Sequence, residues 1–280
     1  MKNQGSKIPI TVAIPIKNEE ANIAKCLDRL EQFSEIVLLD SGSTDKTIEI
    51  AERHGVEVLQ FNWTGNYPKK RNWYLLNHRP SQPWVLFLDA DEFIDQTFCD
   101  EVRGAVDRDE VDGYWLSFTN FFLGKELKYG LQQRKLALFR FGKGLYEKVD
   151  EDGWSRLDME VHEHPIIDGR IETINAPIDH RDYKGLAKFI ERHKDYAMWE
   201  ARRYLKLLDD PSIAEHFTAR QQFKYRHLAK WWYPWFYFLF TYVAKRGVLD
   251  GGAGFHYAAY KAWYFQTIRL LIIEQQKLAS

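Results

Sequence analysis

Cysteine is almost absent from this chain of 280 residues, which holds only Cys26 and Cys99. Two thiols cannot build a disulfide framework, and Cys26 falls on the apolar face of an expected helix, so a reducing cytoplasm fits better than an oxidising space. Long apolar runs are missing too. The richest, Trp231 to Ala244, stops well short of the ~20 residues a membrane-spanning helix requires. No signal peptide is legible, so the sequon Asn62-Trp63-Thr64 is expected to stay bare. Internal repeats and low-complexity linkers are also lacking. A formal net charge of −1 argues against a nucleic-acid partner. Two catalytic signatures fail as well. The glycine-rich stretch Gly247 to Gly254 has no Lys-Ser/Thr, so it reads as a hinge or lid rather than a phosphate cradle. The triplet His162-Glu163-His164 is too short for the zinc helix H-E-x-x-H, whose histidines stand one turn apart.

What the chain does contain is apolar material for a sizeable core, 45% of its residues. Ile10 to Ile16, Glu35 to Asp40, Val56 to Phe61 and Trp84 to Leu88 are short β-branched or aliphatic runs too brief for helices. Between them, apolar residues recur at helical spacing: Ile23, Cys26, Leu27 and Leu30, then Ile48 and Ala51, then a stretch from Tyr67 to Asn77. Strands alternating with helices predict an α/β fold with a mainly parallel, doubly wound sheet. Such sheets keep their ligands at the carboxyl ends of the strands. Pro15, Asp40 and Asp89 all fall there. Tyr114 to Phe118 and Leu136 to Phe141 read as further strands that extend the sheet.

The triplet Asp89-Ala90-Asp91 closes the fourth run. Oxygen-only donors suit a hard cation, Mg²⁺ or Mn²⁺, that also holds the phosphates of a nucleotide. The plain alternative is a strand end followed by solvated acidic turn residues.

The segments ITVAIPIKNEEANIAKCLDRL, EIVLLDSGSTDKTIEIA and WVLFLDADE together resemble the inverting family-2 glycosyltransferases of the GT-A fold. HEH, HRDYKGLAKFIERHKDYA and YVAKRGVLDGGAGFHYA resemble the subgroup that builds the lipopolysaccharide core. The resemblance implies a Rossmann-like GT-A domain over 1–180, with a helical region over 181–280. It implies a nucleotide pocket at Pro15, Ile16 and Glu19. Asp40, with Ser43 beside it, would accept the imide N–H of a uracil; capping its own turn is the other reading of Asp40. Asp89 is expected near ribose or metal and Asp91 on the metal. Lys70 and Arg71 would neutralise the diphosphate, although the run Lys69-Lys70-Arg71 cannot turn every base to one side and also reads as a solvated face.

The implied chemistry needs a general base to take the proton of the attacking hydroxyl. Glu163 is assigned that role, with His162 as metal ligand or diphosphate contact, while Glu160 and His164 remain alternatives. A charged surface loop is the bland reading of this cluster.

Charge is divided unevenly. Residues 181–280 hold 17 Lys+Arg and 9 Asp+Glu, leaving 22 and 31 for the first 180. Trp231 to Ala244, bracketed by Lys230 and by Lys245-Arg246, suits a membrane interface and anionic lipid; a buried helix or the interface of a homo-oligomer is the alternative. The expected activity is transfer of a sugar, with inversion, from a UDP-linked or similar nucleotide donor to a cell-envelope glycolipid such as the lipopolysaccharide core. It would take place at the inner face of the cytoplasmic membrane. Another lipid-linked or protein acceptor, or a non-catalytic nucleotide-sugar-binding scaffold, is the rival.

Overall fold

The computed structural model describes residues 6–149, 157–160, 164–180, 185–215 and 217–279. In chain order the elements are β1 (Ile8–Ile16), α1 (Ile23–Leu27), β2 (Phe33–Asp40), α2 (Thr47–Arg53), β3 (Glu57–Gln60), α3 (Lys70–Asn77) and β4 (Trp84–Phe87). Then come β5 (Glu92–Phe93), α4 (Gln96–Val106), β6 (Gly113–Phe122), β7 (Lys125–Leu127), β8 (Arg134–Arg140), β9 (Gly144–Tyr146), β10 (Pro165–Ile167) and β11 (Ile171–His180). The helices α5 (Gly185–Asp209), α6 (Ala219–His227), α7 (Tyr233–Leu239) and α8 (Gly251–Ala279) follow.

The chain divides into two compact units, 1–119 with 133–183, and 120–132 with 184–280. The hairpin 120–132, at the end of β6 and through β7, thus counts with the C-terminal helices rather than with the sheet-bearing unit.

The sheet runs β3-β2-β1-β4-β8-β6-β11-β5. Its first four strands are parallel, as strand-helix alternation predicts, and β8 and β6 extend it antiparallel. β1 lies between β2 and β4, and nearly all its side chains are buried, which explains its unbroken apolar run. Register sets the edge: Pro15 lies opposite Leu39 and Ile16 opposite Asp40, while Ala13 lies opposite Phe87. The last rung to the β4 side is the Leu88 amide donating to the Ala13 carbonyl, so Pro15 sits where no donor is needed there. The ends of β1, β2 and β4 therefore share one edge.

α3 begins at Lys70, a few residues later than the apolar spacing predicts. Its entry is held from far along the chain. The Glu160 carboxylate accepts the amides of Arg71 at 2.9 Å and Asn72 at 3.0 Å, and the Lys70 amide donates to the Asp158 carbonyl at 3.0 Å. An anionic acceptor at orphan N–H groups serves as a cap supplied from outside the helix.

In the second unit α5 and α8 pack on α6 and α7 around Leu228, Phe265 and Ile268. Glu200, buried here, accepts from Lys224 Nζ at 2.7 Å and the Tyr225 hydroxyl at 2.8 Å. Half of the glycine-rich stretch Gly247 to Gly254 lies inside an α-helix. α8 already begins at Gly251, and a Cβ on Gly254 would stand 2.0 Å from the Gly247 carbonyl oxygen. Gly254 and Gly247 are there so that backbone can touch backbone, Gly247 against the Thr241 carbonyl.

Candidate functional site

The carboxyl edge of the sheet carries the acids. Asp40 ends β2 and is buried, and it holds the turn that follows. Its oxygens accept the amide of Gly42 at 3.0 Å, the amide of Ser43 at 3.1 Å and the Ser43 hydroxyl at 2.6 Å. Gly42 takes a φ of +77°, which that turn requires and which favours glycine. Ser43 Oγ in turn accepts the Asn18 amide at 2.9 Å, and the Glu19 amide donates to Thr47 Oγ1 at 2.7 Å. Pro15, Ile16, Glu19, Asp40 and Ser43 are thus brought together by the β1 and β2 termini. Asp40 has the geometry of the turn cap.

Lys70 and Arg71, both buried, point to protein partners. Lys70 Nζ donates to the Ile16 carbonyl at 3.1 Å and pairs with the Asp158 carboxylate at 3.3 Å; Ser41 donates its hydroxyl to the same carboxylate. Burial lowers the Lys70 ammonium below its ordinary value. Burial would raise the Asp158 carboxyl, but Lys70 and the Ser41 hydroxyl hold it below the usual carboxylate range. Arg71 meets Asp89 Oδ1 at 2.8 Å and also donates to the Glu160 carbonyl.

Asp89 is gripped on both oxygens, by Arg71 on one and by Lys135 Nζ at 2.8 Å on the other. Burial opposes its ionisation, yet Lys135 and Arg71 outweigh burial and hold it well below the usual range. Lys135 also reaches the Glu92 carboxylate at 3.2 Å, and Glu92 accepts the Asp89 amide at 2.9 Å. Burial pushes Glu92 up to about 7, with Lys135 opposing and Asp89 adding to the shift.

Asp91, nearly buried, faces a residue that the sequence reading left without a role. His180 Nε2 lies 3.6 Å from Asp91 Oδ2. Burial would lower this imidazole, but Asp91, with Glu92 and Asp89 behind it, raises it to about 9. His180 arrives there because β11 runs antiparallel to β5 with His180 opposite Glu92. A sequence signal existed. Ile174, Ala176 and Ile178 are the inward residues of a period-2 strand, and His180 is the next in that series. Lys135 was missed by one position, since the β8 run was read from Leu136.

Glu163 and His162 lie outside the described residues. Glu160 is occupied as the cap of α3, and His164 sits beside the Trp115 ring at 6.0 Å. A shallow indentation opens near the start of α3, lined by Trp63, Tyr67, Lys69, Asn72, Glu147 and Glu160 among others. It includes neither Asp89 nor Asp91, so the acidic mouth is a separate feature.

Among the described residues, no three His, Cys, Asp or Glu side chains are placed to enclose an ion. Asp91 with His180 becomes a two-donor set once the imidazole gives up the proton it holds beside Asp91, which a bound cation would displace, and Asp89 is shared with cations. That set fits a divalent ion whose remaining positions are filled by phosphate oxygens and water, since Mg²⁺ takes only one or two carboxylates beside a substrate's phosphates.

Residues 11–158 match the model of a family described as glycosyl transferase family 2. The chain is 31% identical, over 59% of its length, to a lipopolysaccharide core biosynthesis glycosyltransferase, LpsC, of Rhizobium meliloti. The match spans 60% of that relative, or about three-fifths of its length. Identity is 23% over 70% of the chain to an uncharacterised glycosyltransferase of Rickettsia typhi, 68% of which is covered. Among solved structures, the mannosyltransferase PcManGT of Pyrobaculum calidifontis, in complex with GDP-Man and Mn²⁺, is similar with a TM-score of 0.52. The identity there is 15%, and 95% of this chain and 87% of that one are covered. At that identity the likeness is one of fold, the GT-A arrangement.

Proposed function

The chain belongs to glycosyl transferase family 2, and from that premise we propose that it moves a sugar from a nucleoside diphosphate, UDP by preference, to a cell-envelope glycolipid of the lipopolysaccharide-core kind, with inversion. The work would be done at the inner face of the cytoplasmic membrane. The observation that carries the reading is the Asp91–His180 pair beside Asp89, at the carboxyl edge shared by β1, β2 and β4.

The turn from Asp40 to Ser43 forms one wall of the nucleoside pocket, with Pro15, Ile16 and Glu19 at its floor. Asp40 would meet a nucleobase only by giving up part of that turn, so the turn as a whole is the recognising element. Asp91 and His180 would hold a divalent ion, Mg²⁺ or Mn²⁺, with Asp89 on its ribose side. Bound there, the ion would offset the charge that grows on the departing diphosphate. Lys70 and Arg71 act behind this edge: Arg71, with Lys135, keeps Asp89 ionised, and Lys70 ties the end of β1 to Asp158.

The acceptor oxygen forms its bond to the anomeric carbon on the face opposite the diphosphate. The bond from that carbon to the phosphate oxygen breaks with both electrons on oxygen. The acceptor's proton passes to a carboxylate, which we assign to Glu163. One base suffices, because no covalent sugar-enzyme intermediate is formed.

Nucleotide release from a panel of UDP-, GDP- and CMP-sugars, with and without Mg²⁺ or Mn²⁺, tests this. One donor class should be turned over, activity should vanish on chelation and return with metal, and Asp91→Ala should lower the rate by about 10²- to 10³-fold, the range for removing one charge-stabilising group. Equal rates for Asp91→Ala and wild type would remove the assignment.

A further inference from the structure

The second unit carries a face that its own core leaves uncovered. Between residues 216 and 273 the sequence has eight Lys and Arg against one acid, Asp250. Asp250 is buried, its carboxylate accepting the amides of Lys128 at 3.1 Å and Tyr129 at 3.0 Å. No acid of this stretch therefore reaches solvent.

On this background stand α7 and the π-helical turn Phe240–Ala244 that continues it. Tyr233, Pro234 and Thr241 turn inward. Trp231, Trp235, Leu239 and Val243 follow at four-residue steps and are 70, 65, 57 and 59% exposed. Four-residue steps keep side chains on one side of a helix, and the wider π turn offsets the slow drift of that stripe. Val248 and Leu249 add two exposed aliphatic side chains just beyond. Lys230 at one end and Lys245 and Arg246 at the other are also exposed.

We propose that this face docks the unit on an anionic phospholipid bilayer, the indoles of Trp231 and Trp235 among the headgroups and Lys230, Lys245 and Arg246 against the lipid phosphates. Indole rings favour the interface, and clustered cations add attraction to anionic lipid. Free phosphate would engage the cations but leave the apolar stripe in water. A second copy of the chain is disfavoured by charge, because a two-fold contact would set these cations against their own kind, and the stretch 216–273 offers them no exposed acid. No described helix is long and apolar enough to cross a membrane, so the element lies in the interface plane. The inference rests on the proposed function only for the choice of leaflet.

Vesicle flotation of the full-length protein, without donor or acceptor, tests it. The vesicles are phosphatidylcholine alone, or phosphatidylcholine with about one-third phosphatidylglycerol to supply the anionic surface. Wild type is expected to float with the anionic vesicles on the order of tenfold better than with the neutral ones. Trp231→Ser with Trp235→Ser, and separately Lys230→Glu with Lys245→Glu and Arg246→Glu, should each lower that partition by about tenfold or more. Should the tryptophan variant lose helical circular dichroism, Leu239→Ser with Val243→Ser takes its place. Wild type left in the soluble fraction with both vesicles overturns the proposal, as does partition unchanged in the variants. A dimer by sedimentation that the tryptophan variant abolishes would assign the face to a second copy and also overturn it. Flotation reads no sugar transfer, so a failed activity assay leaves this result standing.

Discussion

Asp89 shows how a single carboxylate can be held ionised while half-sunk in protein: Arg71 takes one oxygen and Lys135 the other. The same logic operates behind it at Asp158, where the partners are Lys70 and Ser41. Because the folded Asp158 carboxyl lies below its ordinary value, its contribution to stability is present above the unfolded value of about 3.9 and is lost as pH falls through the folded one. Asp158→Asn should therefore lower the free energy of unfolding at pH 7 by about 2 kcal/mol, the scale of a hydrogen bond to a charged group. The two proteins should converge as pH falls through the folded value of that carboxyl, where the wild-type side chain also takes its proton. Urea titrations across that range check it, and a gap that persists in acid would assign the loss to packing instead.

At the level of elements, α3 depends on a residue nearly ninety positions away in sequence. Glu160 gives both oxygens to the amides of Arg71 and Asn72, so the strip 157–160 and the helix order one another. Burial raises the Glu160 carboxyl, while Arg71 and the amides of Asn72 and Arg71 pull the other way. Glu160→Ala should cost about 1–2 kcal/mol, as loss of a helix cap does, and should speed hydrogen exchange at Arg71 and Asn72 before other α3 amides. Unchanged exchange at those two amides would refute the capping role. Arg71 is carried by the same first turn, so this variant should also lower nucleotide release if Asp89 relies on that guanidinium.

For the whole molecule the division into units makes a specific demand. Phe122 and Leu127, on the hairpin 120–132, bury themselves against Tyr257, with Phe189 alongside. A chain cut after His180 would keep the hairpin and lose these partners. It is expected to aggregate or to bind a hydrophobic dye strongly, whereas the full chain should not. A monomeric, dye-silent 1–180 fragment would show that the hairpin does not need the C-terminal helices. The charge asymmetry belongs to this scale too, since the basic last third is where the exposed apolar stripe sits.

Period and chemistry along the chain determined a good deal without coordinates. The four parallel strands, the helices between them and the placing of Pro15, Asp40 and Asp89 on one edge follow from local runs, because β-branched segments between helical spacings leave few ways to wind a sheet. The family model takes in that regular half and runs on to residue 158. What the tertiary structure alone decided concerns partners brought together across long loops. His180 meets Asp91 through the register of β11 on β5, Lys135 meets Asp89 from β8, and Glu160 caps a helix formed far earlier. None of these pairings is written in neighbouring residues. Each is a matter of which strand lies beside which, and a side chain's role there is set by the charge it meets rather than by the residues that flank it.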